Sequence, residues 1–161
     1  MLVLLCALLL FSCEKAAETP AVAVVQIDED DAGIARIAED ARGSLPVFFR
    51  YVNRMGAEGE HCYIKCPFAA DADSGMGSEQ IWLTGVRFRS GRYLGVVVSS
   101  PRHLGGMKKG DTVVFNIEAI TDWMYVQGGK IIGGESIKYL LESMPEHQRG
   151  ERERELLGMF H

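Results

Sequence analysis

Apolar residues recur along the chain in three different rhythms, and each rhythm predicts a different kind of structure. The first is an unbroken run, MLVLLCALLLFSC from Met1 to Cys13, which carries no charged side chain. It is too short to cross a bilayer core of about 30 Å as a helix and has the length of a signal-peptide core. The second rhythm begins at Asp31, where Ile34, Ile37, Ala41, Leu45, Phe48 and Val52 recur at steps of three and four. That spacing forms a single helical stripe facing a core. Gly43-Ser44-Leu45-Pro46 interrupts the stripe, because proline lacks an amide donor but is tolerated in a helix's first turn. The pattern therefore predicts two helices or one kinked helix, with the Ser44 hydroxyl capping the second.

The third rhythm is alternation. His61 to Cys66 places Cys62, Ile64 and Cys66 on one face of a strand, and Ile81 to Ser100 contains two β-rich runs around Ser90-Gly91, a hairpin signature. Gly110-Asp111 precedes a strand over Thr112 to Asn116. Met124-Tyr125-Val126 then turns through Gln127-Gly128-Gly129 into Lys130-Ile131-Ile132, the glycine pair supplying the positive φ of the turn. Helical spacing returns at Ile137, Leu140, Leu141 and Met144, and Ser143-Met144-Pro145-Glu146 reads as a capping box opening a last helix. Glu151, Arg152, Arg154 and Glu155 would form the outer face of that helix, with Leu156, Leu157 and Phe160 as its apolar end. The expected fold class is α+β, in one domain spanning residues 30–161. An N-terminal helix or helix pair packs on a twisted antiparallel sheet of four to six strands, followed by C-terminal helices.

Local chemistry gives the leader a more specific reading. Leu10-Phe11-Ser12-Cys13 resembles the bacterial lipobox: Ser12 is small enough for a peptidase pocket, and the Cys13 thiol would be acylated before cleavage frees its amine. Phe11 is bulkier than that pattern prefers, and no Lys or Arg precedes the apolar run. The expectation is a signal peptide over residues 1–12 and a lipidated Cys13 opening a flexible tether through residue 29. Residues 14–27 mix Ala, Thr, Pro and Val without a helical or strand period, as a spacer does. Each buried CH₂ of an acyl chain contributes about 0.8 kcal/mol, so such a lipoprotein would sit at the envelope membrane, on its periplasmic or extracellular face.

Composition removes several functions. A net charge of −5 over 161 residues argues against nucleic acid as a partner, which calls for a basic face. Cys62 and Cys66, four residues apart on an extended strand, lie about 13 Å apart, beyond the roughly 4.4–6.8 Å a disulfide spans. They are expected to be two small buried apolar groups, with a disulfide as the alternative if the segment is bent or looped in an oxidising envelope. A zinc set of His61, Cys62 and Cys66 completed by His103 or His147 matches no finger or ribbon spacing, so neither metal nor cofactor is expected. No Gly-x-Ser-x-Gly surrounds Ser74, Ser78, Ser99 or Ser100, and Gly128-Gly129-Lys130 lacks the remaining residues of a phosphate loop.

The cluster best suited to chemistry or binding is Asp122-Trp123-Met124-Tyr125, an acid beside two amphipathic aromatics, with Trp82 and Glu79 as candidate companions; the competing reading makes Trp123 and Trp82 core residues and Asp122 the cap of a turn through its own backbone. Two function classes compete. One is a non-catalytic envelope module that binds a protein, peptide or cell-wall component, and it predicts Trp123 or Tyr125 exposed in an apolar patch. The other is a small hydrolase or transferase using Asp122, Glu79 and His103, and it predicts acid and base together in a concave pocket. A toxin-neutralising immunity protein is a third class that suits a small acidic domain.

Several blocks taken together carry a resemblance. Ala41-Arg42-x-Ser44-Leu45-Pro46-x-Phe48, Glu79-x-x-Trp82, Pro101, Gly110-Asp111, Ile120-Thr121-Asp122-Trp123-Met124-Tyr125 and Gly129-Lys130-x-x-Gly133-Gly134 resemble the YegJ-like family, domain of unknown function 2314. The Asp-Trp-Met-Tyr block and its distance to the paired glycines are the most specific part. The resemblance covers about residues 30–141 and implies a bacterial source and one small domain, with no activity attached. The cysteine-bearing strand, His61 to Cys66, is where the chain departs from it.

Overall fold

The computed structural model describes residues 31–55 and 61–160; the leader, Cys13 and the tether lie outside the described residues. Helix α1 (Ala32–Met55) opens where the Asp31 carboxylate accepts the amides of Gly33 and Ile34 at 2.7 and 3.4 Å. It is one continuous helix with Pro46 inside it, so Ser44 caps no second helix. The Ser44 hydroxyl instead donates back to the carbonyls of Asp40 (2.8 Å) and Ala41 (3.2 Å), as mid-helix serines do. Proline inside a helix costs roughly 3 kcal/mol. Burial of Ala38, Ala41, Leu45, Phe48 and Tyr51 along one stripe holds the helix together through it, and the Pro46 ring itself is exposed.

Six strands follow: β1 (Cys62–Ala69), β2 (Ser78–Arg89), β3 (Arg92–Val97), β4 (Thr112–Phe115), β5 (Asp122–Gln127) and β6 (Lys130–Gly133). All pairings are antiparallel, in the order β4-β3-β2-β1-β5-β6. The first four form a meander; the connection after β4 then returns β5 to the vacant side of β1. Strand β1 therefore lies inside the sheet, and its alternation is sharp: Cys62, Ile64 and Cys66 are buried. Ser90 (φ 51°) and Gly91 (φ 76°) form the two-residue turn between β2 and β3, both residues in the left-handed region that such a hairpin requires.

The period of two divides the apolar residues between two cores. On one face Phe48 and Tyr51 of α1 meet Ile64, Cys66, Ile81, Leu83, Trp123 and Tyr125. On the other, α2 (Glu135–Ser143) and α3 (Glu151–Met159) bring Ile137, Leu141 and Leu156 against Ile131, with Trp82 and Met124 at the margin. The last helix departs from the expected capping box. A short 3₁₀ turn, Glu146–Gln148, follows Pro145, and α3 begins only after Gly150. The Ser143 hydroxyl donates to the carbonyl of Tyr139 at 2.8 Å and closes α2 rather than opening a new helix.

Candidate functional site

Strand β5 carries the predicted cluster and distributes it between the two faces. Trp123 and Tyr125 point toward α1, and both are buried. The Trp123 indole nitrogen donates to the Ala41 carbonyl and to the Ser44 hydroxyl, each at 3.1 Å, which fixes α1 to the sheet. Tyr125 stacks on Tyr51 with ring centroids 3.8 Å apart, and the Tyr51 hydroxyl donates to the Val126 carbonyl. The exposed aromatic patch expected of these two residues is absent, because the helix stripe and β5 cover each other's apolar surface.

Asp122 faces the other way and is 2% exposed. Its Oδ1 accepts the Trp123 amide at 2.8 Å, while Oδ2 accepts both the Ser136 amide (2.9 Å) and the Ser136 hydroxyl (2.6 Å). Ser136 lies in the first turn of α2, where amides lack intrahelical acceptors, so a carboxylate from a distant strand caps this helix. Lys65, paired with Asp122 across the β1–β5 ladder, donates to the Ser136 hydroxyl at 3.2 Å. Its ammonium also lies 5.7 Å from the centre of the Trp82 ring. Trp82, opposite Lys65 on β2, is thereby half-buried beneath a cation.

Burial dominates the electrostatics of this junction. It pushes the Asp122 carboxyl up from its ordinary value, against the opposing pull of the Ser136 hydroxyl and amide, the Lys65 ammonium and the Trp123 amide. It pushes Lys65 down, with Asp122 opposing. The glycine pair after β6 completes the junction. The Gly134 amide donates to the Trp123 carbonyl at 2.8 Å, and a Cβ on Gly133 would stand 2.3 Å from that same oxygen. Lys65, Ser136 and the close approach at Gly133 were not singled out in the sequence. The available signal for Lys65 was its place between Ile64 and Cys66 on an inner strand, where a charge needs a partner.

Glu79 is on the opposite face of the sheet from Asp122. It pairs with Phe68 of the α1-side core, and its carboxylate accepts the amides of Arg102 (2.9 and 3.0 Å) and His103 (2.8 Å). Asp71 holds the same loop, accepting the Gly105 amide at 2.6 Å while its own amide donates to the His103 carbonyl. Asp122, Glu79 and His103 thus form no acid–base pair: two are divided by the sheet, and the third is held by its backbone. Cys62 and Cys66 are unbonded and buried, and burial raises both thiols, Cys66 to about 12. Among the described residues no three His, Cys, Asp or Glu side chains are placed to hold a metal ion.

One cleft, of about 290 Å³, adjoins the cluster. Ile37, Asp40, Ala41 and Ser44 of α1 form one wall, and Asp122, Trp123, Gly133 and Glu135 the other. Asp40 and Glu135 are exposed at the mouth, Asp40 3.9 Å from the Arg36 guanidinium one turn earlier, which leaves Glu135 as the acid of this pair without that neighbour.

The model of DUF2314, an uncharacterised protein family conserved in bacteria, matches residues 31–159 and so runs through α3, beyond the expected end near residue 141. A putative ankyrin repeat protein of Neisseria meningitidis serogroup B is 26% identical over 134 residues, covering 81% of this chain and 53% of that protein. The uncharacterised protein YegJ of Escherichia coli K12 is 30% identical over 122 residues, covering 76% of each chain. The chain therefore spans about half the length of the first relative and three quarters of the second. No solved structure matches.

Proposed function

The chain belongs to the DUF2314 family, and we propose that it is a non-catalytic interaction module, held at the bacterial envelope membrane by a lipid on Cys13. The observation that carries the non-catalytic half is the engagement of Asp122. Each oxygen of its carboxylate already accepts a backbone amide, and the second also accepts a hydroxyl, in a site 2% exposed. A general acid or base must reach a substrate proton, and this one faces the first turn of a helix. The lipobox-like Leu10-Phe11-Ser12-Cys13 after an apolar run supports the membrane half.

The mouth of the cleft between α1 and α2 suits a basic side chain on the partner, since Asp40 and Glu135 flank apolar Ile37. Two measurements test the two halves separately. In cells lysed at high salt, which screens any charged contact with lipid, Cys13→Ser should move the chain from the membrane to the soluble fraction; retention at the membrane there would sink the anchor. Capture from solubilised membranes should recover a partner whose binding weakens about tenfold with Asp40→Asn and Glu135→Gln together, the size expected of losing a charged contact. Turnover of a substrate that survives this pair of substitutions and is lost with His103→Ala would instead restore the enzyme reading.

A further inference from the structure

The net charge of −5 hides a strong segregation. From Gln80 to Gly110 the sequence contains no Asp or Glu, but it carries Arg87, Arg89, Arg92, Arg102, Lys108 and Lys109. That stretch contributes +6, leaving −11 for the remainder of the chain (−5 − 6). Three of the arginines sit at one place. The β2–β3 hairpin runs beyond the last residues paired with β1, which end at Leu83, so Arg87 to Arg92 form a projecting tip. Arg87, Arg89 and Arg92 are exposed, and Phe88 between them is 63% exposed, the highest value among the exposed large apolar side chains. The ring of Phe88 lies against Tyr93, with centroids 4.9 Å apart, on the α1 face of the hairpin, while the pleat turns Arg87, Arg89 and Arg92 to the opposite face, so ring and guanidinium groups flank the tip from two sides. The acid that the topology brings to this end, among the described residues, is Glu118 on the connection after β4.

An exposed aromatic ring on one face of a hairpin tip and arginines on the other match an anionic lipid surface approached end-on: the ring enters the headgroup region while the guanidinium groups meet phosphate. We propose that the β2–β3 tip, Arg87 to Arg92, is a second membrane contact that docks the domain on anionic lipid. The proposal rests on the lipoprotein reading for its place in the cell. Chain length permits both contacts at once. The hairpin adjoins the second half of α1, since Tyr93 packs on Phe49, and Asp31 lies about 27 Å from Phe49 along the helix. Residues 13 to 31 span up to about 60 Å when extended, enough for a Cys13 anchor and the tip to reach one surface. Phe88 lies six positions beyond Trp82 on β2, roughly 20 Å, so a docked tip leaves the Asp40–Glu135 cleft away from the membrane and open to a partner.

The test uses the full-length chain carrying Cys13→Ser, so that no acyl chain contributes. Cosedimentation compares vesicles of phosphatidylcholine alone with vesicles containing 30% phosphatidylglycerol. Residues 1–13 have no charged side chain, so the leader affects the two lipid mixtures alike and the ratio reports the hairpin. Binding should be at least ~10-fold stronger to the anionic vesicles and should weaken with salt. Arg87→Gln, Arg89→Gln and Arg92→Gln together should abolish that ratio, and Arg152→Gln on α3 should preserve it. Phe88→Ser should lower binding to the anionic vesicles several-fold. Circular dichroism of each variant confirms the fold, and single changes replace the triple if it unfolds. A ratio near one for the starting chain, a ratio untouched by the arginine changes, or preferential binding to a single-stranded oligonucleotide would each overturn the proposal. Because the ratio is measured without lipid on the chain, its failure is separate from failure of Cys13→Ser to release the chain in cells.

Discussion

The β5–α2 junction and the β2–β3 tip both depend on charged side chains, in opposite settings. At the junction, Asp122 and Lys65 are withdrawn from water and joined through the Ser136 hydroxyl, with backbone amides completing the carboxylate's partners. At the tip, Arg87, Arg89 and Arg92 stand in solvent beside an exposed Phe88. A buried charge acts inward, since removing one partner strands the other in a low dielectric. An exposed charge contributes little to folding, and its energy is available to something outside the molecule. The residues that look most chemical in the sequence are thus the ones that hold the fold, and those that look like ordinary solvated arginines face outward.

Four changes would break or sharpen that contrast. The largest effect is expected from Asp122→Ala, which leaves the Ser136 amide and hydroxyl without their acceptor and the buried Lys65 without its opposing charge. It should cost about 3–5 kcal/mol in urea unfolding, while Arg89→Ala should stay within about 0.5 kcal/mol. Similar values for the two would erase the distinction. Gly133→Ala comes next, at about 2–3 kcal/mol, because the new methyl must displace the Trp123 carbonyl at a backbone φ of 76°. A melting temperature equal to that of the starting chain would show that the junction gives way easily.

The third change is in pH. Since burial raises the native Asp122 value, the native state keeps a proton that the unfolded chain has released above about 3.8. The contribution of this group to stability is therefore complete at the acid end and falls as pH rises through the native value. Lys65 runs the other way at the alkaline end: its native value is lowered, and the resulting penalty lifts as pH climbs toward 10.5. The stability difference between the starting chain and Asp122→Asn should shrink from pH 4 to pH 7; a difference constant across that range would contradict the burial argument. The smallest change is at the tip, where Ser90→Gly should add about 0.5–1 kcal/mol by relieving a left-handed non-glycine residue.

The buried thiols offer a check that needs no substitution. With Cys66 at about 12, roughly one molecule in ten thousand carries the thiolate at pH 8. Peptide mapping after alkylation should find Cys62 and Cys66 modified about 100-fold more slowly in buffer than in urea. Equal rates would place these side chains in solvent.

The sheet was legible because its strands alternate cleanly: Cys62-Ile64-Cys66 and the Ser90-Gly91 turn each allow one register. The continuity of α1 was not, since a proline signal reads only local strain, and the apolar stripe that overrides it becomes visible once Trp123 and Tyr125 lie against it. The Asp122 cluster was found, and of its two readings the geometry has the inward one, with Trp123 in the core and Asp122 bonded to backbone amides. Its partners, Lys65 and Ser136, lie 57 residues before and 14 after it, and nothing local in the sequence ties them together. Glu79 and Asp122 likewise look like companions until the pleat sends them to opposite faces.

The proposed membrane anchoring is tested most directly by the intact mass of the chain extracted with detergent from bacterial membranes. A chain beginning at Cys13, lacking residues 1–12 and heavier by a glyceride with its acyl groups, is the expected result. A chain that keeps Met1 to Ser12, or one that begins at an unmodified Cys13, would contradict it.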